Sequence, residues 1–549
     1  AWARLCKCLG AEFLPFMHVV MPPLLHSASL KPDVTISDID DDTANDDEDD
    51  DSHFASLKPD VTISDIDDDT ANDDDDRWRG DANDSVETIT IGDKKIGIRT
   101  SMLEEKATAC NMLCCYADEL KEGFFPWIDQ VAQLMVPLLK FYFHEEVRKA
   151  AASVSPLRPR ASSGPLAPSS PSRSLLLDGK LAVEKGMAPA VTATAEGEKR
   201  YLKQMVDFLV PPLVEVLTKE PEVEMIVVML ESLQECIQGV ELSAEQVTQV
   251  VAQLKAVVEG SRGRRKERLE RTQTEDFDEE ESELLQEENE QEDEVLDQVG
   301  DCIGELARVF KGSFKPFADD LAPFVLQMMD KSRPATERRV GICIFDDLAE
   351  NMGDAAASYF PAFLPHILEA VLDPLPEIRQ SAAYGIGICA QHGGAAFTPY
   401  VPDTVARLGQ VVSSGDSKSE LSVSATDNAI SALGRLCEHQ AHAPFDSAHV
   451  LSVWLAYLPI REDRAEAKVA HAQLCGLLER SDTRILGPNN QNLPHIVGVL
   501  LEVLKAGTDL ATEETNKRAV TLLRSLPAEI VGALPPEQQA VLQQALQSS

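Results

Sequence analysis

The residues best suited to chemistry with another molecule are acids and amides set one helical turn apart. Asp346 and Glu350 are separated by four positions, as are Asp347 and Asn351. On a helix that spacing puts each pair on one face. Asp427 and Asn428 sit in a later helical stretch, with Ser431 on the same face. Glu420, Glu462, Asp463 and Glu466 extend the pattern. Carboxylates and amide oxygens grouped in this way accept hydrogen bonds from Lys and Arg, which points to a negative surface for a basic partner. Trp454 offers a ring on which a basic side-chain stem stacks. The same acids also suit an ordinary solvated helix face, and the tryptophan an ordinary packing role.

No catalytic constellation accompanies them. The sequence has no GxxxxGK[ST], no HExxH and no GxSxG. Gly385, Gly387, Gly393 and Gly394 fall in or after a helical pattern, the wrong context for a dinucleotide fold, which needs a preceding strand. His392, His439 and His442 are scattered. The 11 cysteines lack zinc spacing and suit buried free thiols in a reducing cytosol or nucleus. The expectation is a chain that is not an enzyme and needs no cofactor or metal.

With 50 Lys+Arg against 93 Asp+Glu, the net charge is −43. That excludes a general binder of nucleic-acid backbones, which needs clustered cations. The charge is concentrated. Residues 33–76 hold 20 acids and the single base Lys58, and residues 275–294 hold 13 acids and no base. Like-charge blocks repel themselves and are expected to stay disordered. The most apolar stretch, 124–143, is interrupted by Asp129, Gln130, Gln133 and Lys140, so no membrane span is expected.

The elements that must position the acids are helices. Apolar residues recur at three- and four-residue steps, as in Val131, Leu134, Met135, Leu138 and Leu139, and again in Leu321, Phe324, Val325, Met328 and Met329. The clearest strand-like alternation, from Val86 to Ile91, is short. An aromatic–proline element opens one helix of each pair, around Pro15, Pro126, Pro316, Pro361 and Pro399, with later versions at Pro444 and Pro488. The last five of these prolines lie 38 to 45 residues apart. Proline suits a first helical turn, where its missing N–H costs nothing. The second helix carries an acid, a β-branched residue, Arg and small residues, as at Glu146–Ala152 and Glu377–Ala383. Arg379 is placed to pair with Asp373. Helical hairpins at about 40–47 residues are the mark of HEAT and armadillo repeats, which must stack to bury their apolar faces.

The predicted fold is therefore all-α, a right-handed α-solenoid of HEAT repeats with acidic and Ser/Pro-rich disordered insertions. Residues 1–28 read as the end of one repeat and the first helix of the next, as expected of a piece whose earlier repeats lie outside the sequence. Residues 29–100 form an acidic insertion in which 29–47 is duplicated at 56–74. Repeats at 101–152 precede a Ser/Pro-rich insertion at 153–198. Another repeat spans 199–260, a basic-then-acidic linker 261–294, and the remaining repeats 295–549.

Long segments carry a family resemblance. They include Glu12 to Leu24, Leu103 to Cys110, Tyr116 to Phe124, Leu134 to His144, Cys343 to Asp347, Ile378 to Gly387, Leu486 to Pro494 and Pro536 to Ala540. Together they resemble the importin-beta (karyopherin-beta) nuclear transport receptors. The resemblance implies a receptor that carries basic cargo, such as ribosomal proteins or histones bearing nuclear localisation signals, through nuclear pores. It implies phenylalanine-glycine nucleoporins and Ran-GTP as further partners, with the main Ran surface in repeats preceding this sequence. It also implies shuttling between cytoplasm and nucleus, with no direct nucleic acid and no membrane insertion. By the family pattern the second helices line the cargo side, which makes Asp346, Asp347, Glu350, Asn351, Asp427, Asn428 and Trp454 the candidate cargo-binding residues. A non-transport HEAT scaffold, or an acidic chaperone for basic nuclear proteins, is the alternative.

Overall fold

A computed structural model describes residues 2–31, 34–38, 86–91, 94–154, 195–272, 279–526 and 534–547. These fall into two compact units, divided between Leu242 and Ser243. Both are built from the expected helical hairpins.

In the first unit, α1 (Trp2–Leu9) and a 3₁₀ turn lead into α2 (Met17–Ser29). Three strands follow, β1 (Val34–Asp38), β2 (Val86–Ile91) and β3 (Lys94–Arg99), paired antiparallel in the order β1-β3-β2. The alternation seen in the sequence from Val86 to Ile91 is the whole of β2. The first insertion thus contains a small sheet, and a backbone-paired sheet is not disorder. The rest of the 33–76 acidic tract lies outside the described residues, as does nearly all of the Ser/Pro-rich insertion. The hairpins continue with α3 (Thr100–Leu120), α4 (Ile128–Met135), α5 (Glu145–Val154), α6 (Ala195–Leu217) and α7 (Val223–Gly239). The stretch Trp2–Ser29 is apolar and long enough to cross a membrane by composition. Here it is broken by the 3₁₀ turn, and Phe13, Met17 and Met21 are buried. Phe13 packs on Tyr116 of α3 with ring centroids 5.5 Å apart, while Trp2, Leu5, Phe16 and Val19 remain exposed.

The second unit starts with α8 (Ala244–Arg271) and α9 (Glu279–Phe310). First helices α10 (Lys315–Met328), α12 (Phe360–Ala370) and α14 (Val401–Ser413) alternate with second helices α11 (Ala335–Asn351), α13 (Pro376–His392) and α15 (Val423–His439). Then come α16 (Ser447–Tyr457), α17 (Arg464–Glu479), α18 (Leu493–Ala506), α19 (Glu513–Arg524) and α20 (Pro536–Gln547). The second helices α9, α11, α13, α15, α17 and α19 pack one upon the next in an unbroken row.

The aromatic–proline elements divide between first turns of α-helices and the 3₁₀ turns that hold Pro15, Pro126, Pro399 and Pro488. Pro316 and Pro361 occupy the first turns of α10 and α12, whereas Pro399 lies in a short 3₁₀ turn just before α14, whose own first turn holds Pro402. Phe314, Phe360, Phe363 and Phe397 are fully buried, and Phe345 of α11 stacks on Phe363 at 4.6 Å. A left-handed residue precedes several of these elements, at Gly10, Lys121, Lys311, Gly353 and Gly394. Such a residue ends a helix and redirects the chain.

The linker reading of 261–294 does not survive. α8 runs through the basic residues to Arg271, and the acidic residues from Glu279 onward are the start of α9. Arg264 and Arg268 both reach Glu292, at 2.5 and 3.2 Å, Arg265 pairs with Asp293 at 3.0 Å, and Arg271 with Glu288 at 2.7 Å. Each block supplies the counter-charge that lets the other fold.

Candidate functional site

The expected acids divide into two groups. On α11, Val340, Ile344, Phe345 and Leu348 face the core, and a helix that buries this stripe must point the residues beside it towards its neighbours. Asp346 turns to α13 and Asp347 to α9. Each lies over a glycine, Gly385 and Gly304 respectively, where an added Cβ would fall within the carboxylate. Glycine at these two positions is what gives the acids room. Glu350 is exposed one turn on, and Asn351 is half-buried, its amide donating to the Asp347 carbonyl at 2.9 Å.

Asp346 is 3% exposed, and neither of its carboxylate oxygens has a hydrogen-bond partner. Burying a charge without a donor is costly, so the group favours its neutral form. Burial, reinforced by the charges of Asp347 and Glu350, pushes its pKa well above the ordinary carboxylate range. Asp347 is pushed up to about 7, by burial first and then by Glu350, Asp301 and Glu305. Asp301 is reachable by water yet surrounded by protein, and burial with the charge of Asp297 pushes it up to about 6. Asp297, Asp301 and Glu305 lie at four-residue steps along α9. Sequence reading passed over this stripe, although its spacing is the same signal that picked out α11. Arg339 neutralises Asp297 at 2.6 Å, and Arg308 pairs with Glu305.

The second group is structural. Asp427 is 1% exposed and accepts from the backbone N–H groups of Glu462 and Asp463, at 3.1 and 3.0 Å. Asn428, also buried, donates to the Ser424 carbonyl at 2.9 Å and to Asp463 at 2.8 Å. Asp463 in turn caps α17 through Ala465 and Glu466. Trp454 is fully buried. Glu466 is buried in an ion pair with Arg435 at 2.8 Å. These side chains join α15 to the loop before α17 and to α16, and their burial takes Asp427, Asn428 and Trp454 out of reach of a cargo surface. Asp346 is likewise no solvated contact. It is packed against Gly385 of α13, whereas Asp301 and Glu350 are exposed and Asp347 is half-buried. Arg379 does not bond the Asp373 carboxylate. It donates to the Asp373 and Pro374 carbonyls, both at 3.0 Å, while Asp373 pairs with Arg338 of the preceding repeat at 2.6 Å.

Among the described residues, no group of three His, Cys, Asp or Glu side chains is close enough to hold a metal ion. The acids of α9 and α11 are separated carboxylates, of a kind that accepts hydrogen bonds from amine or guanidinium donors.

Two family models match, the importin repeat 6 family over residues 225–331 and the TPR repeats of the importin subunit beta-1-like family over 281–433. The chain is 24% identical to a probable importin-5 homolog of Dictyostelium discoideum, over 99% of this chain and 44% of that protein. The crystal structure of Kap121p bound to RanGTP matches with a TM-score of 0.68 and 20% identity, over 99% of this chain and 44% of that one. Kap121p bound to Nup53p gives 0.69 and 20%, over 99% and 43%. The chain therefore spans less than half the length of the relatives it matches, and the structural likeness establishes the HEAT-repeat solenoid fold.

Proposed function

The chain belongs to the importin-beta family, with importin-5 among its similar relatives, and from that premise we propose that it is part of a nuclear import receptor. The family is one of transport receptors rather than enzymes. In this reading the chain holds basic cargo, such as ribosomal proteins or histones, against its second helices and accompanies it through nuclear pores. Release follows the binding of Ran-GTP, and the receptor shuttles between cytoplasm and nucleus. The observation that carries the reading is the cluster of acids on the adjacent second helices α9 and α11. Asp301 and Glu350 are exposed and Asp347 is half-buried, on second helices, which the resemblance assigns to the cargo side. Kap121p is seen with RanGTP and with Nup53p, which supports the same partner classes here.

The row of second helices suits an extended basic segment. Each repeat touches only its neighbours, so the row adjusts in small steps to what it holds. Surplus negative charge raises the association rate, an effect that salt weakens over about 8 Å at physiological strength.

The test is import of a fluorescent basic cargo in permeabilised cells by the receptor carrying this chain, together with retention on immobilised phenylalanine-glycine repeats. Import that needs Ran-GTP and retention on the repeats are the expected results. An acidic chaperone is the second reading, favoured by the 20 acids of 33–76. Binding of basic proteins without retention or import would select it.

A further inference from the structure

Where α13 meets the loop that joins α14 to α15, the second unit encloses a polar cavity that the cargo reading does not use. Its volume is about 340 Å³, and Arg379, Gln410, Ser414, Ser417, Ser422 and Thr426 supply most of its polar lining. Two acids also border it, Asp373 and Asp416. Asp373 is engaged by Arg338 at 2.6 Å. That leaves Arg379, the one cation among the lining residues, facing Asp416.

The two groups are held very differently. The Arg379 side chain is only 14% exposed. Its Nη1 donates to the carbonyls of Asp373 and Pro374, and its Nη2 to the Ser422 hydroxyl at 2.8 Å. Asp416 is 54% exposed and stands 3.5 Å from Nη2, a long contact. Its carboxylate also accepts from the Ser414 and Ser422 hydroxyls, the second at 2.9 Å. Those hydroxyls hold it below the usual carboxylate range, so it is ionised. A guanidinium and two hydroxyls thus converge on a carboxylate that leaves for solvent without exposing any apolar surface.

We propose that this cavity takes a phosphate group, for which Asp416 is the chain's own stand-in, and that the phosphate displaces Asp416 from Arg379 to link α13 to the loop before α15.

Phosphate suits these donors better than the carboxylate does. It brings up to two charges and three acceptor oxygens, enough to engage the guanidinium and the hydroxyls together. Ser422 immediately precedes α15, whose first turn has no side-chain cap, so the positive end of that helix adds to the attraction. A bound cation would have to lie against Arg379. An apolar ligand would meet mainly hydroxyls, because only Leu372, Pro374 and Val411 in the lining are apolar.

The phosphate has two possible sources. One is free phosphate. The other is Ser414, which is exposed, already bonded to Asp416, and followed by Gly415 and Asp416, a context for an acid-directed kinase. In that step the γ-phosphoryl of a nucleoside triphosphate passes to the Ser414 oxygen. The bond to the leaving nucleoside diphosphate breaks, and the hydroxyl proton goes to the kinase base.

The experiment has two arms on the full chain. In the first, inorganic phosphate is titrated calorimetrically at pH 7.5. Asp416→Ala is expected to bind it about tenfold tighter than wild type, because a like charge beside the site is gone. Arg379→Gln is expected to bind it at least about tenfold more weakly. In the second arm, phosphoserine is installed at position 414 and titrated by phosphorus NMR. Its second proton ordinarily leaves near about 6. Seated on Arg379 it is expected to leave at about 5, and Arg379→Gln should restore the ordinary value. A phosphate lying beside Asp416 alone would instead hold its proton above 6. Tighter binding in the first arm alone identifies free phosphate as the source, and a lowered value in the second alone identifies phosphoserine. If Arg379→Gln does not fold, Asp416→Ala and the phosphoserine value decide. No gain in binding for Asp416→Ala, together with a phosphoserine value at or above 6, overturns the proposal. So do effects that persist in a folded Arg379→Gln. Either result leaves the receptor reading to the import assay.

Discussion

Replacing Glu292 by Ala tests the ion-paired hairpin of α8 and α9. The Glu292 side chain is 0% exposed, and two guanidiniums converge on it, from Arg264 at 28% side-chain exposure and Arg268 at 9%. Removing one partner of a buried pair costs about 3–5 kcal/mol, because the other charge stays buried without compensation. Arg264 recovers some hydration, so the lower end, about 3 kcal/mol, is expected. Arg264→Ala leaves Glu292 its bond to Arg268 and is expected to cost about 1–2 kcal/mol. The loss should be local. The C-terminal half of α9 is packed in the row of second helices, whereas its N-terminal half and the end of α8 hold each other. Hydrogen exchange resolved by peptide is the assay, with protection falling over 262–272 and 279–294 and unchanged over 335–392. The pH dependence has a definite sign. Burial acts to raise the Glu292 pKa, but bonds from Arg264 and Ser261 and the charge of Arg268 override it, so the folded value lies below 4.5. The unfolded chain then binds more protons in acid. The contribution is complete above 4.5 and disappears as pH falls through the folded value. Exchange over 262–272 that is the same in Glu292→Ala and wild type at pH 7 would refute this reasoning.

Gly385→Ala should displace the Asp346 carboxylate and destabilise the second unit by about 1–3 kcal/mol, the usual cost of overpacking, as measured by urea denaturation. Asp427→Ala removes the acceptor for two backbone N–H groups and should cost about 2–3 kcal/mol, with faster exchange at 460–466, whereas Asp427→Asn, keeping one oxygen, should cost less. His471 is fully buried, with Nδ1 donating to the Leu510 carbonyl at 2.8 Å, and burial holds its pKa below 6.5. The unfolded chain takes up that proton first, so the His471 contribution is complete above 6.5 and fades as pH falls through the folded value. Between pH 7.5 and 5 the melting temperature of His471→Gln should fall less than that of wild type.

Periodicity was a good guide to the hairpins, because the aromatic–proline elements and the apolar stripes are local consequences of burying one helix face. Phe314, Phe363 and Phe397 lie where that reasoning puts them. Charge was a poorer guide, because its effect depends on what stands opposite. The acids of 279–294 read as self-repelling until the arginines of α8 are set against them. The acids of the candidate site show the same limit. Helical spacing places Asp346, Asp347 and Asp427 on their helices but says nothing of the neighbouring helix. That neighbour decides whether a carboxylate meets a glycine recess, as at Gly385, or a pair of backbone donors, as at Glu462 and Asp463.

Within the second unit, successive repeats are tied by ion pairs as well as by apolar packing. Arg262 reaches Glu337, Arg338 reaches Asp373, Arg379 reaches Asp416, Arg435 reaches Glu466 and Arg518 reaches Glu479. Each tie spans one junction, so a pull on the ends of the unit loads them in series. The weakest junction yields first, and extension proceeds as a sequence of small steps rather than one rupture. Ties open to solvent, such as Arg518 with Glu479 at 31% and 43% side-chain exposure, soften with ionic strength, whereas Arg435 with Glu466, at 6% and 4%, does not. The unit is therefore a graded spring whose stiffness differs from junction to junction and whose softer steps are set by salt.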